Sequence, residues 1–195
     1  MEYDALKILT APASEPVSLT ELKLQLRIES DDDSQNAMLT SYIKSARQGV
    51  ERYLGRALIT QTLQAFFDCF SYQMVLPYCP YQTLTHIKYY DADGDLQTLD
   101  SSIYQTDLIS EPARISTAYG QSWPTTRSGK YNAVEIQYVA GYGDTSTDVP
   151  EPIRQLILGI AVDLYEHPEL NIELRINENK TYNYLALNYK IPVVY

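Results

Sequence analysis

The sequence predicts an α+β protein in which a helical scaffold is interrupted by an inserted, mostly antiparallel β domain. Two changes of apolar periodicity predict this class. Apolar residues recur three and four positions apart up to residue 59 and again from residue 150, whereas short β-branched and aromatic segments fill residues 60–149. We therefore expect a discontinuous scaffold, residues 1–59 and 150–195, with three main helices and a C-terminal segment.

The first helix is predicted to begin at Ser18, after an extended arm over residues 1–17 that contains two proline breaks. Ser18 and Glu21 have the spacing of a capping box, in which each side chain accepts a hydrogen bond from the other residue's backbone N–H. Such a pair satisfies two donors that a helix start otherwise leaves unpaired. The apolar stripe of this helix consists of Leu19, Leu22 and Leu26.

A second, longer helix is predicted over roughly residues 34–55. Its apolar stripe consists of Leu39, Tyr42, Ile43, Ala46, Val50, Tyr53 and Leu54. The run Ser-Asp-Asp-Asp-Ser at residues 30–34 precedes it and invites a metal-site interpretation. Because carboxylates and side-chain acceptors are favourable at a helix start, we expect this run to cap the helix instead.

The β domain is predicted from short segments separated by turn residues at regular intervals. These segments are residues 62–70, 73–76, 84–90, 96–99, 103–108, 113–117 and 133–142. Asp93-Gly94 stands between two of them and indicates a hairpin, because tight hairpin turns need residues that tolerate positive φ.

The third helix is predicted between Pro150 and His167, since proline suits a first helical turn and Pro168 ends the run. One apolar stripe is suited to the core: Ile153, Leu156, Ile157, Ile160, Ala161 and Leu164. A second stripe, on another face, consists of Leu158, Val162 and Tyr165. A helix that is apolar nearly all round is buried nearly all round, so we expect a neighbouring subunit to cover the second stripe.

Composition excludes several classes of protein. The 195 residues carry 15 Lys plus Arg against 25 Asp plus Glu, a formal net charge of −10, and a pI near 4.6. Nucleic-acid affinity comes chiefly from Lys and Arg, so tight DNA binding is not expected. The chain has no apolar run long enough to span a membrane and no signal-peptide pattern at its start, which predicts neither a membrane protein nor a secreted one.

The sequence offers little for catalysis or for metal binding. It has two histidines: His86, expected to face solvent on a strand, and His167, expected at a helix end. Cys69 and Cys79 are too few for a zinc site, although they could pair with each other. Residues 91–95, Asp-Ala-Asp-Gly-Asp, resemble the start of a calcium loop, but the glycine comes too early. We therefore expect no metal, no cofactor and no enzymatic activity.

Several motifs recur along the chain in a characteristic order: Pro16-Val17-Ser18-Leu19-Thr20-Glu21, Leu26-Arg27, residues 31–33, Ala46-Arg47, residues 51–59, residues 119–124, residues 139–144 and residues 149–155. This arrangement resembles tailed-phage head–tail connector proteins, in the longer branch that carries a β insertion between its helices. The resemblance covers roughly residues 16–166. It implies that the helices form a helical connector scaffold.

The resemblance also implies a structural role in the virion neck, with the protein made in the host cytoplasm. Such adaptors form a ring of about twelve copies beneath the portal vertex, extend the DNA channel and carry the stopper or tail. The C-terminal segment is aromatic and amphipathic, so we assign portal docking to Tyr182, Tyr184, Leu187, Tyr189, Val193, Val194 and Tyr195. The alternative interpretation of the 18 tyrosines is a β module that binds a glycan or a peptide.

Overall fold

The computed structural model describes residues 3–167 and 176–191 and confirms the α+β class. Its contacts divide the described chain into two compact units. The sheet unit contains residues 3–11 and 60–141. The helical unit contains residues 12–59, 142–167 and 176–191. No helix in these ranges is both long and apolar enough to cross a membrane.

The helical unit contains α1 (Leu19–Leu26), α2 (Asn36–Leu54), α3 (Glu151–Glu166) and α4 (Lys180–Leu187), with a 3-10 turn at Ser146–Asp148. The predicted capping box is confirmed, because Ser18 Oγ accepts from Glu21 N and the Glu21 carboxylate accepts from Ser18 N. Buried residues of the first three helices and the segments beside them form the main core. They include Val17, Leu22, Leu39, Ile43, Val50, Leu54, Leu58, Ile153, Leu156, Ile157 and Ile160.

The acidic run before α2 does not cap the helix, so that prediction was wrong. The N-cap of α2 is Gln35, and no side chain accepts a hydrogen bond there. Asp32 instead accepts from the backbone N and hydroxyl of Ser34, while Asp33 contacts Lys23 Nζ at 3.3 Å. The carboxylates of Asp32 and Asp33 are therefore bonded by Ser34, by Lys23 of α1 and by the side chain of Asn36 at the start of α2.

The sheet unit contains two antiparallel sheets. The larger has the strand order β1 (Ala5–Thr10), β2 (Gln61–Phe67), β8 (Val134–Ala140), β4 (Tyr81–Tyr90) and β5 (Leu96–Thr98). The smaller has the order β3 (Gln73–Val75), β7 (Arg114–Thr117) and β6 (Tyr104–Asp107). Central strand β8 alternates buried and half-buried residues, as a strand with one core-facing side should.

The predicted hairpin at Asp93-Gly94 joins β4 to β5. Gly94 has a φ of 97°, and one Asp91 carboxylate oxygen accepts from the backbone N–H groups of Asp93, Gly94 and Asp95. The carboxylate organises the turn, which explains the calcium-like spacing of acids without a metal.

The two units begin and end at slightly different residues from those expected. The N-terminal arm, assigned above to the scaffold, supplies β1 and pairs with β2 from Ala5↔Phe66 to Thr10↔Thr62. An extended segment satisfies its backbone groups most readily by joining a sheet edge. Residues 142–149 lie in the helical unit, where Tyr142 N donates to Leu58 O at 3.0 Å.

Candidate functional site

The two histidines lie in different units and make structural contacts. His86 Nε2 is 3.2 Å from a carboxylate oxygen of Glu135 on the neighbouring strand β8, and the ring is half-buried rather than facing solvent as expected. His167 ends α3, where its backbone N donates to Asp163 O at 2.7 Å. These positions explain both residues without a catalytic role.

Within the described residues, no group of three or more His, Cys, Asp and Glu side chains is arranged to hold a metal ion. Cys69 is exposed and Cys79 is buried, and no disulfide joins them. In the described part of the chain, therefore, neither the two cysteines nor the acidic run at residues 30–34 forms a metal centre.

A polar groove of about 300 Å³ lies on the smaller sheet. Its lining residues are Gln73, Gln105, Thr106, Asp107, Arg114 and Ser116. Most of these groups bond to one another: Arg114 pairs with Asp107, and Gln105 Nε2 donates to Ser116 Oγ at 3.2 Å. Hydrogen bonds from Arg114 and Ser110 hold the pKa of Asp107 well below its usual range. These bonds between the lining side chains therefore stabilise the smaller sheet and the β6–β7 turn.

A buried ion network holds the chain that follows α2. Arg47 donates to Glu15 at 2.7 Å and to Glu51 at 2.6 Å, and the side chains of Arg47 and Glu51 are less than a tenth exposed. The other Glu51 oxygen accepts from Leu58 N at 3.0 Å. Burial raises the pKa of Glu51, although Arg47 opposes this effect. The network is structural, because it ties together segments of the helical unit.

The second stripe of α3, predicted to contact a neighbouring subunit, is half-buried. Leu158, Val162 and Tyr165 all pack against the core of their own unit and retain some exposed surface. Close to this stripe, α4 packs on α3 at Gly159, where an added Cβ would lie 2.7 Å from Tyr182 Oη. Gly159 thus leaves room for the Tyr182 ring, a role that the predicted helix periodicity did not reveal.

The residues assigned above to portal docking divide by exposure. Tyr184 and Leu187 are 73% and 66% exposed on α4, whereas Tyr182 and Tyr189 are half-buried against the helical core. Val193, Val194 and Tyr195 lie outside the described residues. Only Tyr184 and Leu187 of the described set therefore present a large contact surface.

The segment after α4 is attached to the C-terminal end of α2. Arg56 Nε donates to Tyr189 O, and Ile191 N donates to Leu54 O at 2.9 Å. Lys190 Nζ lies 3.9 Å from the centre of the Tyr53 ring. These contacts place α4 and residues 189–191 as an integral part of the helical unit.

The exposed face of α2 was not singled out from the sequence. It contains Ala37, Met38, Ser41, Lys44, Ser45, Gln48 and Arg52, none of which is acidic. In a chain with a net charge of −10, a long helix whose exposed face carries only positive charge is a detectable signal. Apolar periodicity identifies the buried side of a helix but carries no information on the charge of its exposed side.

The comparisons with known proteins agree with the resemblance that the sequence motifs indicated. Residues 16–104 match the family model described as "Phage gp6-like head-tail connector protein". This match confirms the resemblance to head–tail connector proteins over that part of the chain. A search of curated proteins gives no match.

Solved structures of gene transfer agent (GTA) particles contain chains with the same fold. A chain in the neck of an empty GTA particle, computed with C6 symmetry, has a TM-score of 0.79 at 22% identity and covers 98% of this chain and 97% of its own. A chain in the neck of a native particle, computed with C12 symmetry, has a TM-score of 0.70 at 21% identity, with coverages of 98% and 97%. A chain of the native virion has a TM-score of 0.76 at 20% identity and covers 97% of each.

Proposed function

We propose that this chain is a structural protein of the virion neck, without enzymatic activity. It forms a homo-oligomeric adaptor ring of about twelve copies that joins the portal vertex to the stopper or tail and extends the DNA channel. The protein is made in the host cytoplasm and acts in the assembled particle.

The observation that carries this proposal is the family match of residues 16–104 together with a fold shared along almost the whole chain with neck proteins of GTA particles. The six- and twelve-fold symmetries of those neck structures support a ring as the assembled form. The net charge of −10 supports a channel that DNA traverses without tight or specific binding, because an acidic wall repels phosphates.

The portal-docking surface centres on Tyr184 and Leu187, which are one helical turn apart on α4. Tyr182 and Tyr189 hold α4 and the segment after it against the helical unit, so they position the surface. Val193, Val194 and Tyr195, which lie outside the described residues, belong to the proposed docking segment on the basis of the sequence alone. An exposed aromatic ring beside an exposed leucine is the kind of anchor that protein interfaces bury at their centres.

The second proposed contact is between neighbouring copies, through the exposed parts of Leu158, Val162 and Tyr165. These side chains already pack on their own core, which fixes their orientation before assembly. A neighbouring copy that covered the rest of each side chain would gain apolar burial with little loss of side-chain entropy.

The direct test is electron microscopy of the full chain mixed with portal-bearing heads that lack a neck. We expect a ring at the portal base. The double variant Tyr184→Ser/Leu187→Gln should lose the ring while retaining the helical circular-dichroism spectrum of the wild type. Leu24→Gln is the matched control, because Leu24 is 78% exposed on α1 and lies outside the proposed surface.

Heads that remain bare with wild-type protein would contradict the proposed function. Rings that form equally well with the double variant would contradict only the assignment of the docking surface. The alternative, a tyrosine-rich sheet that binds a glycan or a peptide, would be supported by saturable binding of such a ligand to the full chain as a monomer.

A further inference from the structure

The exposed face of α2 carries two cationic side chains that have no ion-pair partner in the described part of their own unit. Lys44 and Arg52 are both exposed and lie eight residues apart, about 12 Å along the helix axis. No acidic residue stands three or four positions from either one, where a helix would supply a partner. Within residues 3–167 and 176–191, neither side chain forms an ion pair.

The rest of this face is suited to close contact. Ala37, Ser41 and Ser45 are small, so another backbone can approach the helix without displacing long side chains. Met38, 40% exposed at the first turn, adds an adaptable apolar group.

The same unit carries a surface of opposite charge. The segment at residues 29–33, which we call the acidic turn, has four carboxylates in five residues, and Lys23 pairs with only one of them, that of Asp33. Glu29 and Asp31 are exposed and form no ion pair within the described part of the chain. The turn therefore presents uncompensated negative charge.

We propose that the exposed face of α2 binds the acidic turn of a neighbouring copy of this chain. The inference rests on the proposed ring, because a closed ring is built from heterologous contacts, in which two different surfaces of each copy meet. Copies with a net charge of −10 repel one another, so their contact is favoured where opposite charges face each other. Two cations are too few to hold duplex DNA against that repulsion, which favours a protein partner over DNA.

Charge reversal tests the pairing in full-length protein. Lys44→Glu/Arg52→Glu makes both surfaces acidic, and Glu29→Lys/Asp31→Lys replaces the two unpaired carboxylates of the acidic turn with cations, which then face the cations of α2. Each double variant alone should need a protein concentration at least about tenfold higher than the wild type to associate. Association is measured by analytical ultracentrifugation and by electron microscopy, with and without portal-bearing heads. A mixture of the two variants should assemble again, because each acidic surface then meets a basic one.

The four-site variant that carries both reversals should also assemble. Lys7→Glu/Lys130→Glu is the matched control, since it makes the same change of net charge in the sheet unit and should associate as the wild type does.

The outcomes separate the two proposals. Normal assembly of each double variant, or a mixture that fails to recover, overturns the pairing while leaving the ring in place. Wild-type protein that forms no ring, alone or on heads, overturns the proposed function and the pairing together. If Lys44→Glu/Arg52→Glu lowers retention of duplex DNA in a mobility-shift assay but leaves assembly unchanged, the face contacts DNA and the pairing is wrong.

Discussion

Replacement of Glu51 by alanine should strongly destabilise the helical unit. In the folded protein, one Glu51 oxygen accepts from Arg47 and the other accepts from Leu58 N, and all three residues are buried. Alanine leaves the Leu58 N–H without this acceptor and leaves Arg47 with Glu15 as its ion-pair partner. The change therefore removes one hydrogen-bond acceptor from each of two buried donors, the Arg47 guanidinium and the Leu58 N–H.

The expected loss follows from the burial of both groups. Removing one member of a buried ion pair typically costs about 3 to 5 kcal/mol, which includes the penalty for the charge left behind. Glu15 still compensates Arg47, and burial disfavours the ionised form of Glu51 even in the wild type, as its raised pKa indicates. Both effects reduce the loss, so we expect about 3 kcal/mol, equivalent to a fall in Tm of about 6 to 12 °C.

The assay is urea unfolding followed by far-ultraviolet circular dichroism, which reports the helices. Glu151→Ala is the control, because Glu151 also pairs with an arginine on a helix but its side chain is 62% exposed. An exposed pair of this kind contributes below about 1 kcal/mol. Equal losses for the two variants would refute the reasoning, since burial would then have no effect on the value of the pair.

Three further predictions concern local contacts. Gly159→Val should destabilise the protein by about 1 to 3 kcal/mol because its side chain overlaps the Tyr182 ring, and in a Tyr182→Ala background the same change should have less effect. Ser18→Ala should cost about 1 kcal/mol in urea unfolding, since it removes the α1 cap; an unchanged midpoint would argue against the capping box. Asp107→Asn should be less stable than the wild type above about pH 4. This difference should shrink as the pH falls further, because the pKa of Asp107 is lowered by its bonds to Arg114 and that stabilisation is lost on protonation.

Local patterns explain which predictions succeeded. The capping box of Ser18 and Glu21 and the turn at Asp93-Gly94 each depend on residues at most four positions apart, and both are confirmed. Their bonding partners are close in sequence, so the propensities of the residues and the actual contacts agree.

Contacts between residues distant in the chain explain what was missed. The acidic run at residues 30–34 was expected to cap α2, but Asp33 instead pairs with Lys23 of α1. His86 was expected to face solvent, but the register of β4 with β8 places it beside Glu135. Neither neighbour could be identified until the strands and helices were packed.

The sequence by itself determined the α+β class, the extents of α2 and α3 within a few residues, and the resemblance to head–tail connector proteins. Periodicity and short motifs carry this information, because they depend on spacing along the chain. Only the tertiary structure decided that the N-terminal arm completes a sheet, that Arg47 joins Glu15 to Glu51, and which tyrosines of α4 remain exposed. The exposure of a side chain and its bonding partners depend on what packs against it. The packing partners come from segments distant in the chain, which the spacing of residues within one segment does not identify.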